Sequence, residues 1–302
     1  MEQIYNKFTT ALQWSFFRND LQGSNSRFNE GQVRQLDMNS SETVISQISL
    51  NPASIAGVLG AVTFILVFAS VATQSADYLT GHSSGFLHKM DKVFNLDLEQ
   101  NVSSFFSMLL LLFTSLLLAF ITVLKRKQKA SYLFEWAILS IGFLFMTFDE
   151  STQIHEKLIE PMRAILGGKN LGIFYYAWVV PAIVLVLFLS LFFLKFLWSL
   201  PAKPRLAFII SGIIYIGGAI GMELIGGNYA EIYGRDNLIY IALTTIEESL
   251  EMLGVIVFIW ALLEYIAVTY REIEVQFDGS GEATKTAEKN FNVAKKFIFA
   301  NK

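Results

Sequence analysis

The sequence predicts an all-α fold: a polytopic membrane helical bundle of six transmembrane helices with both termini cytoplasmic. Three observations predict it. Hydrophobic residues make up 53% of the chain against 16% charged, and the mean hydropathy is +0.47, a balance suited to a chain buried largely in lipid. Apolar runs long enough to cross a hydrocarbon core of about 30 Å recur along its length. The short loops after the second and fourth runs are basic, Lys125–Lys129 and Lys203/Arg205. By the positive-inside rule they face the cytoplasm, and an even number of spans then puts both termini there.

Residues 1–50 read as a cytoplasmic N-terminal segment, partly flexible. Met1–Phe17 carries scattered apolar residues and suits either a short surface helix or a loosely ordered tail. Gly23–Glu42, rich in Ser, Asn and Gln, reads as a linker. Polar and acidic residues precede any apolar core, so no cleavable signal peptide is visible and the first span is expected to act as an uncleaved anchor.

Residues 51–270 form the transmembrane domain. Span one is expected over about Pro52–Thr73, with Pro52 suited to a first helical turn. A loop over Gln74–Asn101 follows, carrying His82, His88, Asp91, Asp97 and Glu99; its two histidines read as surface residues. Span two covers about Val102–Leu124. Span three begins near Ser131, reaches Phe148, and continues into Asp149–Pro161 without a breaker. Span four covers about Gly172–Trp198, with Pro181 as an expected kink. Span five covers about Leu206–Ile225 and ends at Gly226-Gly227-Asn228. Span six, Leu238–Tyr270, exceeds the roughly 20 residues a bilayer needs. Residues 271–302 read as a cytoplasmic tail with a short amphipathic helix at Ala287–Phe299.

Composition removes several function classes. A net charge of −3 leaves no nucleic-acid footprint. With no cysteine, disulfides, thiolate zinc sites and iron–sulfur clusters are excluded. No Walker loop, dinucleotide Gly fingerprint, Gly-x-Ser-x-Gly elbow or His-Glu-x-x-His motif occurs, and no lysine is placed to hold retinal. The expected partners are the lipid bilayer of a plasma or inner membrane and a cation, with a homo-oligomer left open.

The stretch that asks for explanation is Thr244-Thr245-Ile246-Glu247-Glu248-Ser249-Leu250-Glu251. Each carboxylate costs roughly 2.5–3.5 kcal/mol near the centre of a membrane helix. At about 100° per residue, Thr244, Glu247, Glu248 and Glu251 fall within one sector of about 100°. That face must meet a partner, a water-filled cavity or a cation. In the predicted topology Asp149 and Glu150 of span three and Glu223 of span five reach a similar level in the outer half of the membrane. On a continuous helix Asp149, Gln153 and Glu156 share a face within about 60°, while Glu150 and His155 point to either side. Asp149 and Glu156 therefore rank above Glu150, and His155 stays in the set if the helix bends. Gly217 and Gly221, spaced as small-xxx-small, are expected to pack span five closely and turn Glu223 inward. Glu135 and Glu264 read as interfacial charges or as partners of Lys195.

The candidate ligand set is Asp149, His155, Glu156, Glu223, Glu247, Glu248 and Glu251. Several carboxylates with one imidazole suit an oxygen-preferring divalent ion of the Ca, Mn or Fe type. They also suit protons shared among acids that repel one another. The carboxylate-bridged di-iron pattern is disfavoured, because no Glu-x-x-His pair occurs.

The set Phe148-Asp149-Glu150…Ile154-His155-Glu156, then Gly221-Met222-Glu223, then Thr244/Thr245-Ile246-Glu247-Glu248-x-Leu250-Glu251-Met252-x-Gly254 resembles a recurring pattern in bacterial multi-pass membrane proteins without assigned activity. Asn95–Asn101 ahead of span two resembles theirs as well. The resemblance covers about Phe94–Tyr265 and implies that these positions belong together. Three functions are compatible with it: cation binding and transport through the carboxylate cluster, a membrane-embedded metal-dependent enzyme acting on a lipid-soluble substrate with His155 as ligand or base, and a non-catalytic subunit whose acids meet a partner's basic residues.

Overall fold

The computed structural model describes residues Leu50–Tyr270. The expectations for Met1–Phe17, the Gly23–Glu42 linker and the tail helix at Ala287–Phe299 lie outside the described residues. Among the described residues every regular element is helical: α1 (Pro52–Leu79), α2 (Gly85–Phe94), α3 (Val102–Lys127), α4 (Leu133–Thr152), α5 (Ile154–Lys157), α6 (Ile159–Leu166), a 3₁₀ turn (Gly172–Phe174), α7 (Val179–Ser199), α8 (Ala202–Ile216), a π segment (Gly217–Met222), α9 (Glu223–Tyr233) and α10 (Leu238–Tyr270). Five continuous helices are long and apolar enough to cross a membrane: α1, α3, α7, the run Ala202–Tyr233 and α10. The 20-residue α4 carries Glu135, Asp149 and Glu150 and is not among the five. Side chains such as Phe64, Phe68 and Leu191 stand more than two-thirds exposed. An apolar belt of that size is unfavourable in water and matched to lipid.

Helix α10 is the axis of the bundle. Half of its apolar window is buried, against 11% for α1. It packs against α8, α1, α3, the π segment and α9. At the basic end, Trp136, Phe196, Phe208, Phe258 and Tyr265 form one apolar cluster. Lys125 lies over the Tyr265 and Tyr270 rings there, and Lys203 pairs with Glu264. The partner of Glu264 is therefore Lys203 on α8 rather than Lys195. Toward the other end, Leu110, Leu111, Met252, Val255 and Ile259 form a second cluster that reaches up to the acids. Helices α3 and α4 are joined within the apolar layer by reciprocal bonds: Ser115 Oγ donates to Ser140 O (2.8 Å) and Ser140 Oγ to Ser115 O (3.0 Å).

Several boundaries differ from expectation for local reasons. Pro181 falls in the first turn of α7, where a proline removes no helical hydrogen bond, so it produces no kink in the span. Gly226 and Gly227 do not end span five; the helix runs through them to Tyr233. Both are buried, and a Cβ on Gly227 would stand 2.9 Å from the Tyr176 ring. They are packing positions. Span three stops at Thr152, because Gln153 takes a left-handed conformation (φ +54°) and the chain turns into α5. The loop after span one is also structured: α1 runs to Leu79, and α2 comes after a short turn. Asn101 caps α3 in a capping box with Ser104, while Ser70 Oγ accepts Leu96 N–H (3.0 Å) and ties the loop to α1.

The close approach of span five to α10 uses other glycines than Gly217 and Gly221. A Cβ on Gly217 would meet nothing, and one on Gly221 would meet only Ile216 O at 4.0 Å. The contact is made by Gly218, where a Cβ would lie 2.9 Å from Glu247 O and 3.1 Å from Glu251 Cγ. Gly254 makes it from the other side, where a Cβ would lie 2.8 Å from Tyr215 N. Both obstacles include backbone. Gly218→Ala and Gly254→Ala are each expected to lower stability by about 1–3 kcal/mol, read as loss of thermal stability in mild detergent, while Gly217→Ala leaves it unchanged.

Candidate functional site

The acids of α10 are met from two sides. On one side the π segment brings a wide helical turn against Glu247 and Glu251, immediately before Glu223. A π turn carries one residue more than an α turn and so re-aims the side chains beyond it. Glu223 faces Glu247 and accepts a hydrogen bond from Trp178 Nε1 (2.8 Å). The Trp178 ring packs against His155 at a tilt of 53°, with centroids 4.8 Å apart. His155 Nδ1 lies 2.8 Å from Asp149 Oδ2, and its backbone N–H donates to Asp149 Oδ1 (3.0 Å). Asp149, His155, Trp178, Glu223 and Glu247 thus form a contiguous series drawn from separate parts of the chain.

The other side carries Glu150. Glu248 and Glu251 both have Glu99 as a charged neighbour, and Glu248 and Glu150 have Glu251 in common. Glu150, Glu251 and Tyr215 line a small cavity of about 10 Å³ with Ser107 and Leu110, room for a single water. Glu150 also lines an open pocket of about 590 Å³ with Gln100, Asn101 and Ser104. It is the residue shared by the outer pocket and the inner cavity. The ranking of Glu150 below Glu156 is therefore reversed: it assumed a straight helix through Gln153, and the left-handed turn there swings α5 back. Glu156 is exposed, His155 is drawn onto Asp149, and Glu150 faces inward.

Glu99, which in sequence reads only as a loop residue, is a further member. Its Oε2 is buried without a hydrogen-bond partner. Burial, with repulsion from Glu156, pushes its carboxyl up to about 7. For His155, burial opposes the charged ring, but the Asp149 hydrogen bond and charge outweigh it and push the pKa up to about 9. That shift favours the imidazolium at neutral pH. Lys157 donates to Thr152 O, Arg163 reaches Glu160 and the Tyr175 ring, and Arg235 lies over Tyr175 and Tyr176. Among the described residues, no Lys or Arg nitrogen lies within 4.0 Å of a carboxylate of Glu223, Glu247, Glu248 or Glu251.

Among the described residues, only Asp77, His82 and His88 place three donor atoms within 4.8 Å of one another. Both histidines are exposed, as a surface reading expects, but their grouping with Asp77 is not evident in the sequence. The available signal was an acid at the end of span one, followed by Asp77-x₄-His82-x₅-His88 within one loop. His82 and the preceding Gly81 are both left-handed (φ +57° and +61°), which folds the loop back over the end of α1.

Among the described residues the class is all-helical, with five helices long and apolar enough to cross a membrane and Glu247, Glu248 and Glu251 on the central one. The chain belongs to the family described as domain of unknown function DUF8692, whose model matches residues 56–266. No curated protein and no solved structure matches it.

A raised histidine pKa contributes stability that is complete below the ordinary value of 6.5 and is lost as pH rises through about 9. Thermal stability in detergent is expected to fall over that window, by on the order of 1–2 kcal/mol after solvent screening. Asp149→Asn is expected to flatten the profile there, since it removes the group that holds the imidazolium.

Proposed function

We propose that this protein carries a cation across the membrane through the carboxylate ladder Glu99, Glu150, Glu248, Glu251, Glu247 and Glu223, and that the cation is the proton. The observation that carries this reading is Glu150, which lines both the open outer pocket and the inner cavity it shares with Glu251. A proton passes between carboxyls through one water, whereas a divalent ion needs several oxygen ligands at about 2.0–2.6 Å. The acids here offer no group of three donor atoms within 4.8 Å among the described residues, while the inner cavity has room for one water. Intramembrane acids without basic partners are a recurrent feature of proton relays. His155, bonded to Asp149 and packed against Trp178, supplies a titratable group beside the ladder.

In this reading α4 is the sixth span. The basic loops Lys125–Lys129 and Lys203/Arg205 then face the cytoplasm along with both termini, and the pocket beside Glu150 opens to the outside. A plasma or inner membrane is the expected setting.

The test is purified protein in liposomes with an internal pH dye and an imposed potassium diffusion potential. Wild type is expected to move protons above the rate of empty vesicles, and Glu251→Gln to reduce the flux at least about tenfold, a barrier increment near 1.4 kcal/mol. A parallel series with Mn²⁺ and Ca²⁺ dyes is expected to show no flux. Proton flux equal in wild type and in the Glu247→Gln/Glu248→Gln/Glu251→Gln variant would overturn the ladder. Divalent flux blocked by that variant would replace the proton with a metal ion.

A further inference from the structure

We propose that Asp77, His82 and His88 form a binding site for one first-row divalent metal ion of the zinc class, separate from the carboxylate ladder. The site lies at the acid-bearing end of the bundle, where the last turn of α1 meets the loop and the first turn of α2. His82 Nδ1 lies 2.9 Å from Asp77 Oδ2 and His88 Nδ1 lies 3.3 Å from the same oxygen. In a tetrahedral zinc site with bonds of about 2.0–2.1 Å, neighbouring donor atoms stand about 3.3 Å apart. Two of the three edges are therefore already close to the length a bound ion would impose.

A hydrogen-bonded cluster is the competing description, and it leaves a defect. Both imidazoles converge on one carboxylate oxygen. The other oxygen, Asp77 Oδ1, is buried and has no hydrogen-bond partner. Asp77 itself is only 3% exposed. A buried carboxylate oxygen without a partner is unfavourable. A cation held by both oxygens of Asp77 and the two ring nitrogens would remove that defect. It would also explain why one oxygen is aimed at by two rings.

The donor set selects the class of ion. Two imidazole nitrogens and one carboxylate oxygen suit zinc and its first-row neighbours, while Ca²⁺ and Mg²⁺ prefer all-oxygen shells. Three protein ligands leave further positions for water. The histidine side chains are 51% and 49% exposed, so an ion and its water have access. His82 Nε2 points to Asp236 Oδ1 at 3.6 Å, the place where an outer carboxylate orients a ligating ring. Asp91 on α2 is another charged neighbour of Asp77 and both rings and adds to the negative field.

The test uses the full chain in mild detergent, stripped with a chelator and then titrated with Zn²⁺ against a chelating dye. Wild type is expected to take up one ion per chain in the micromolar range or tighter. His82→Ala and His88→Ala are each expected to weaken it about tenfold or more, and the double variant to abolish it. The Glu247→Gln/Glu248→Gln/Glu251→Gln variant is expected to bind Zn²⁺ as wild type does, so failure of the proton reading leaves this result untouched. As a measurement that needs no variant, Co²⁺ loading of wild type is expected to give visible ligand-field bands that Zn²⁺ displaces. The proposal is overturned if wild type shows no ion tighter than about 100 μM, if the double histidine variant binds as wild type, or if Ca²⁺ displaces Zn²⁺ at equal concentration.

Discussion

A carboxylate a dozen residues into an apolar helix has to be surrounded by something that accepts its charge or its proton, and the rest of this bundle is arranged around that constraint. Glu247, Glu248 and Glu251 lie on α10, and α10 is the helix the others enclose. The enclosure depends on removing side chains at two crossings. Gly254 lets Tyr215 lie on the α10 backbone, and Gly218 lets the π segment lie on Glu247 and Glu251. A methyl group at either point would meet backbone at under 3.0 Å. The acids are therefore walled by main chain and by one another, with no Lys or Arg side chain among the described residues positioned to neutralise them at salt-bridge distance.

That arrangement has an electrostatic consequence. Like charges on neighbouring carboxylates repel one another, and among the described residues no Lys or Arg at salt-bridge distance offsets that repulsion. In the proton reading proposed above, protons shared within the cluster relieve that repulsion. The Asp149–His155 pair does the opposite at the rim, where it keeps an imidazolium. Trp178 joins the two regimes: its ring lies on His155 and its N–H on Glu223. Its one N–H is donated to Glu223, so it positions that acid and offers no proton path of its own.

The helical class, the central acidic stretch and the arrival of other chain segments near it were legible because they rest on composition, run length and the 100° period. What could not be read came from single backbone residues. Gln153 has no side-chain property that announces a left-handed turn, yet that turn decides whether Glu150 or Glu156 faces the cluster. Gly226 and Gly227 look like a stop signal and are a packing surface, because Tyr176 arrives from a segment much earlier in the chain. The spacing of Gly217 and Gly221 matches a packing motif, but the π segment shifts the contact by one residue to Gly218. Pro181 reads as a kink only while the start of α7 is unknown, since its effect depends on its distance from that start. In each case the period is sound within a regular helix and fails where the helix ceases to be regular.

The two ionisable groups at this end of the bundle differ in the property that decides what each can hold. The ladder acids are spread over the α2–α3 loop, α4, the start of α9 and α10, so a multidentate ion would have to draw separate helices together against close glycine packing. The loop group is built on one carboxylate fixed in the last turn of α1 and two rings carried on a short turn and the start of α2. Its rings can close on an ion without disturbing a crossing between helices. Nitrogen donors on an adjustable loop favour a transition metal, and oxygen donors on rigid, mutually repelling helices favour the smallest cation. In the two proposals, then, the loop group takes the transition metal and the helix-borne acids take the proton.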